Sequence, residues 1–174
     1  MTRPPRALLV VPPTGRFIRE SRCQTPIDEL KTISLRPPID LLYAASAFRR
    51  GGCECRLTDY PAEDLDWDRL RREIAEFRPR FLVLEITTPT LADDLQAAAL
   101  ARDVDSSVVT VAKGAHFNVF DRRTLEEFPA LDIVLRGEYE PACEELAQGR
   151  AFGDVLGISW RDRAAADPNA AIRR

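Results

Sequence analysis

Short apolar runs alternate with amphipathic stretches along most of this chain. Residues 7–11 (Ala-Leu-Leu-Val-Val) form a continuous apolar run closed by Pro12-Pro13, the pattern of a strand buried on both faces. Pro37-Pro38 then opens a helix in which Ile39, Leu42, Tyr43 and Ala47 share one face, and Gly51-Gly52 closes it. Proline at the start and glycine past the end is the expected helix asymmetry. Cys53–Thr58 alternates enough for a second strand. A helix over Asp66–Phe77 sets Trp67, Leu70, Ile74 and Phe77 on one face and Arg69, Arg71, Arg72 and Glu73 elsewhere, with acidic residues at its positive end. Phe81–Leu84 predicts a third strand. Leu91 to about Asp103 predicts a third helix, led by Thr90 and Asp93 as a variant capping box. A strand over Val108–Ala112, a short helix near Thr124–Phe128, a strand over Ile133–Leu135 and a helix from Pro141 to about Gln148 follow, and Gly157–Trp160 reads as a last strand. Residues 161–174 carry no apolar face and predict a tail or linker.

Five strands alternating with five helices predict an α/β fold with a parallel sheet covered on both faces. In such sheets ligands bind beyond the carboxyl ends of the strands, where the strand order reverses. The residues that follow each strand are therefore the candidates: Pro12–Arg16, Asp59, Thr87–Thr90, Gly114–Phe117 and Gly137–Glu138. The segment from Thr14 to Arg36 adds a loop of ~20 residues, a length more often functional than filler.

Composition narrows the classes. The 25 Lys plus Arg against 28 Asp plus Glu give a net charge of −3, which excludes the clustered basic excess of a nucleic-acid binder. The N-terminal apolar run of about five residues is too short for a signal peptide or a membrane span. A cytoplasmic protein with reduced thiols is expected. The single His116 and the four Cys (23, 53, 55 and 143) form no zinc or disulfide pattern. No Gly-x-Ser-x-Gly elbow, HExxH or Walker A motif occurs.

The strand-end residues offer recognition rather than acid–base chemistry. Gly15 permits close backbone approach, and Arg16 or Arg19 can pair with phosphate or carboxylate. Thr87, Thr88 and Thr90 offer hydroxyls at a helix start, with simple capping as the plain alternative for Thr90. Gly114, Ala115 and Phe117 surround His116, which can donate or accept a hydrogen bond. Gly137 and Glu138 repeat that arrangement after the fifth strand. The cysteines read as packing residues, and no residue reads as catalytic.

The string Pro12-Pro13-Thr14-Gly15-Arg16-Phe17-Ile18-Arg19-Glu20-Ser21-Arg22-Cys23-Gln24 resembles the start of cobalamin-dependent radical SAM enzymes. Pro37-Pro38-Ile39, Thr87-Thr88-Pro89-Thr90, Gly114-Ala115-His116 and Arg136-Gly137-Glu138 fall in the matching order, so the resemblance covers roughly residues 5–160. It implies a flavodoxin-like, doubly wound cobalamin-binding domain over residues 1–160, with 161–174 as a link towards a radical SAM domain acting in cis or in trans. That family includes methyltransferases acting on unactivated carbon or phosphorus and the anaerobic cyclase of bacteriochlorophyll synthesis. The corrin is then expected over the carboxyl edge of the sheet, with Thr14, Gly15, Arg16, Arg19, Thr87, Thr88, Thr90, Gly114, Ala115, His116, Phe117, Gly137 and Glu138 as cofactor-binding residues. Two departures shape the expectation. The Cys-x3-Cys-x2-Cys motif for an iron-sulfur cluster is absent, so the cluster and SAM are expected only in another domain, and this chain alone is not expected to be catalytic. The first loop lacks the histidine of methionine-synthase-type domains, so cobalamin is expected base-off with no side chain from that motif on cobalt, and His116 is expected at the corrin amides or the tail. The alternative is a stand-alone flavodoxin-like domain that binds another small ligand or a protein partner. A phosphate receiver is disfavoured, because Pro12-Pro13 and Glu85–Thr88 stand where receivers need an acidic cluster and a phosphorylatable Asp.

Overall fold

The computed structural model describes residues 3–15, 37–165 and 171–174. Arg16, Arg19, Cys23 and the rest of the long segment up to Arg36 lie outside the described residues. The elements, in chain order, are β1 (Arg6–Val11), α1 (Ile39–Arg50), β2 (Glu54–Asp59), α2 (Trp67–Phe77), β3 (Phe81–Glu85), α3 (Leu91–Asp94), α4 (Gln96–Val104), β4 (Val109–Lys113), α5 (Phe117–Glu127), β5 (Ile133–Leu135), α6 (Glu140–Ala147), β6 (Ile158–Arg161) and β7 (Ile172–Arg173). The strands form one sheet in the order β2-β1-β3-β4-β5-β6-β7. The first five in that order run parallel, and β6 and β7 are added antiparallel. The parallel order 2-1-3-4-5 is the flavodoxin-like arrangement, whose switch point lies between β1 and β3.

The apolar runs end up buried on both sides, as a central parallel strand requires. Leu8 and Val10 of β1 face α2, α4 and α5 through Leu70, Ile74, Ala97, Ala101 and Phe117. Ala7, Leu9 and Val11 face α1 and α6 through Leu41, Ala44, Phe48, Cys143 and Leu146. Helix α2 starts where the sequence places it, and its N-cap Asp66 accepts the Arg69 backbone N–H.

Several expectations change. In α1 the buried face is Leu41, Ala44, Ala47 and Phe48, while Ile39, Leu42 and Tyr43 are about half exposed or more. The helix carries apolar residues on two faces, and the sheet selects one. Glu73 belongs to the buried face of α2, where it accepts the Tyr60 hydroxyl at 2.5 Å and that of Thr58 at 3.3 Å. The predicted third helix is divided at Leu95 into α3 and α4. Helix α5 starts at Phe117, seven residues earlier than its apolar pattern indicated. Part of the stretch expected as a tail joins the sheet: Arg161 completes β6, Ile172 is buried in the core, and β7 pairs with β6. Among the described residues, no helix is long and apolar enough to cross a membrane.

Candidate functional site

The carboxyl ends of β1 and β3 meet at the switch point around a fully buried carboxylate, Asp94 of α3. One of its oxygens accepts the Thr14 hydroxyl at 2.7 Å, and the other accepts the Thr90 hydroxyl at 2.6 Å. Thr87 lies 2.7 Å from the Thr90 oxygen. With the Thr90 proton committed to Asp94, the Thr87 hydroxyl is the donor of that bond. Thr90 is thus more than a cap: it heads α3 without a capping side-chain bond and spends its hydroxyl on the buried acid. Gly15 follows at φ 115°, a left-handed conformation that glycine adopts without strain.

The ends of β3 and β4 are tied together next. The exposed Thr88 hydroxyl lies 3.1 Å from His116 Nδ1. The His116 ring packs against Phe117 edge-on and against Phe120 at 5.0 Å. Burial pushes its pKa below the ordinary histidine value, so the imidazole is held neutral. Gly114 adopts φ 154°, and a side chain there would collide with the Ile86 carbonyl oxygen. That glycine is therefore a packing requirement between adjacent strand ends. Ala115 beside it is exposed.

A cleft of about 90 Å³ lies between the ends of β4 and β5, lined by Asp40, Lys113, Gly114, Ala115, Asn118, Gly137 and Tyr139, among others. The Lys113 ammonium is buried, pairs with Asp40 at 2.5 Å and lies 4.9 Å from the centre of the Tyr139 ring. The Tyr139 hydroxyl donates to the Asp40 carbonyl at 3.0 Å. Gly137 is exposed at φ 58° with open space before it, and its N–H donates to Asn118 Oδ1 at 2.9 Å. Glu138, the next residue, is exposed.

The structure thus brings Thr14, Thr87 and Thr90 into one network, pairs Thr88 with His116, and sets Gly114, Ala115 and Gly137 around one cleft. Phe117 is fully buried and supports His116 from below. Asp94, Lys113, Asp40 and Asn118 were missed by sequence reasoning. Lys113 offered one signal, a lone lysine closing an apolar strand among arginines; Asp94 offered none. Cys53 and Cys143 are buried, and burial raises their thiols to about 11 and about 12. They are protonated packing groups. Among the described residues, no cluster of side chains is arranged to hold a metal ion.

The B12 binding domain family model matches residues 34–147. The chain belongs to that family. The matched span runs from just before α1 to the end of α6, so β1 with Thr14 and Gly15 precedes it. The chain is 30% identical over 161 residues to an uncharacterized methyltransferase of Pyrococcus horikoshii, covering 90% of this chain and 33% of that protein. It is 29% identical over 132 residues to the anaerobic magnesium-protoporphyrin IX monomethyl ester cyclase of Rubrivivax gelatinosus, covering 71% of this chain and 24% of that protein. Among solved structures, the radical S-adenosylmethionine methyltransferase TsrM of Kitasatospora setae shares the fold at a TM-score of 0.67 and 18% identity, over 91% of this chain and 29% of that one. The chain therefore spans about a third or less of the length of these relatives.

The strand-end residues fit the family's cofactor. A flat macrocycle fringed with amides needs a shallow, polar edge without bulky side chains. Ala115 and Gly137 leave such an edge open, and the Thr88 hydroxyl and the neutral His116 offer both donor and acceptor atoms beside it.

Proposed function

We propose that the chain holds cobalamin base-off over the carboxyl edge of its sheet, as the cofactor module of a larger radical SAM enzyme. The observation that carries this reading is the gathering of Thr14, Thr87, Thr88, Thr90 and His116 at the β1/β3 switch point and the neighbouring end of β4, beside the exposed Ala115. Thr88, His116 and the backbone at Ala115 and Gly137 would meet the ring amides. Asn118 and Lys113 would bound the part of the site between β4 and β5. Arg16 and Arg19 would contribute from the first loop. When bound, the cofactor supplies a cobalt centre able to carry a methyl group. The protein holds and orients it, and no side chain of this chain ligates the cobalt.

The sheet domain through β7 would form the cofactor module, and a radical SAM domain that carries the iron-sulfur cluster and SAM would act with it, in cis or in trans. Methyl transfer is the reaction that best matches the relatives' names, and the cytoplasm is the compartment that suits the thiols.

The test is reconstitution with hydroxocobalamin followed by desalting. Retained corrinoid near one equivalent is expected, and Ala115→Trp should abolish retention while leaving the thermal midpoint unchanged. No corrinoid on the folded chain, or equal retention by the variant, would overturn the reading. After reduction to the cob(II) state, the electron paramagnetic resonance spectrum should lack nitrogen splitting. Nitrogen splitting that disappears in His116→Gln would place the histidine on cobalt and refute that part.

A further inference from the structure

The amino-terminal edge of the sheet, opposite Thr14 and His116, carries a second polar centre. A cleft of about 350 Å³ opens there, with Arg102, Ser106, Trp160, Phe152, Arg161 and Arg163 among its walls. That volume falls within the range of small-molecule sites. Its floor is Asp132, a buried carboxylate at the start of β5. One Asp132 oxygen accepts Arg102 at 2.7 Å and Arg163 at 2.5 Å, and the other accepts the Thr110 backbone N–H at 2.9 Å.

Arg161, also in the wall, pairs with no carboxylate among the described residues. Its guanidinium donates to the backbone carbonyls of Leu131 and Leu125. Asp162 nearby is engaged elsewhere, accepting the Ala164 N–H at 3.1 Å and facing Arg173 at 4.0 Å. Arg102 Nε is buried without a hydrogen-bond partner. Three guanidiniums and two carboxylates, Asp132 and Asp162, therefore line the cleft; Asp132 is committed to Arg102 and Arg163, and the surplus is positive. Burial and the neighbouring Arg163 and Arg102 depress the Arg161 pKa, the electrostatic mark of that crowding. Beside the arginines, Trp160 and Phe152 stand edge-to-face at 5.7 Å.

We propose that this cleft binds a small phosphorylated ligand with a flat ring, of the nucleoside phosphate class. The guanidiniums match phosphate oxygens in charge and fork geometry, and an indole face accepts a stacked base. The site lies on the opposite sheet edge from the cobalamin reading and does not depend on it.

Titration of the isotopically labelled chain with ADP and with inorganic pyrophosphate tests this, following the Ser106 and Ser107 amides and the Trp160 indole N–H. Both probes are expected to shift these resonances at millimolar concentration or below. Arg163→Gln, at an exposed rim position, should weaken both by about tenfold, the scale of one charge-assisted contact. Trp160→Phe should weaken ADP and leave pyrophosphate unchanged. The absence of shifts at these residues, or undiminished binding by a folded Arg163→Gln chain, overturns the proposal. Should that variant fold poorly, salt dependence of the native chain decides: affinity falling with ionic strength supports the site, and salt-independent affinity overturns it.

Discussion

The Thr14 hydroxyl donates to the buried Asp94 carboxylate at 2.7 Å, joining the end of β1 to α3, the short helix that follows β3. These residues lie 80 positions apart, and Thr90 closes the same carboxylate from the other side at 2.6 Å. The switch point of the sheet is thus held by hydrogen bonds to a charged acceptor, which are stronger than neutral ones.

Asp94→Ala should cost about 1–3 kcal/mol, because it leaves hydroxyls without their acceptor in a buried site. Asp94→Asn keeps the shape and one acceptor and should cost less. Urea unfolding measures both; equal stability of native chain and alanine variant would mean the network contributes nothing.

The two strand-end glycines should separate. Gly114→Ala drives a methyl into the Ile86 carbonyl and should destabilise by about 2 kcal/mol or more. Gly137→Ala meets open space at φ 58° and should cost only about 1 kcal/mol, the left-handed penalty. Thermal midpoints in the absence of any corrinoid check the order, and a reversal would contradict the geometry.

Lys113 and Asp40 form an asymmetric pair, with side chains 3% and 61% exposed. Removing Asp40 strands a buried ammonium, whereas removing Lys113 leaves a carboxylate that water already reaches. Asp40→Ala should therefore destabilise more than Lys113→Met, by about 1–3 kcal/mol after allowance for solvent at the exposed partner. Denaturation of the two variants side by side decides it.

Burial depresses the His116 pKa in the folded protein. The unfolded chain then binds the proton more readily, so acid favours unfolding. Its contribution is flat above the unfolded value of about 6.5 and turns destabilising as pH falls from there towards the folded value. His116→Gln should lose less stability than the native chain between pH 7.5 and pH 5.5. Parallel pH profiles of the urea midpoint for the two proteins would exclude this role.

Ile172 is buried at 7% exposure in the core face shared with α2 and α5. Ile172→Ala should cost about 2 kcal/mol, the low end for a buried isoleucine because β7 is short and at the sheet edge. An unchanged unfolding midpoint would assign residues 171–174 to a tail after all.

The legible parts of this fold were those with local causes. The apolar runs of β1, β3, β4 and β5 appear within a residue or two of their places, because a strand buried on both faces needs nothing from its neighbours to be apolar. Residues 172–173 were illegible for the opposite reason: a two-residue strand has no period to read. The same holds for Glu73, which sits among arginines in sequence and against Tyr60 in space. Thr14, Thr87, Thr88, Thr90, Gly114, Ala115, His116 and Gly137 were legible as candidates, being residues that follow strands and members of the motifs that carry the family resemblance.

The sequence by itself determined the strand–helix alternation and, through it, the parallel run from β1 to β5 and the carboxyl edge as the place to look for a site, since hydrophobic periodicity is a local pattern. It also carried the resemblance to cobalamin-binding domains. The strand order and the antiparallel β6 and β7 belong to the tertiary structure. Tertiary structure alone decided which face of α1 is buried, that Asp94 rather than the capping geometry organises the threonines, and that Arg102, Arg161 and Arg163 gather around Asp132. Those facts depend on which distant residues meet, and a buried charge declares its partner only once the chain has folded around it.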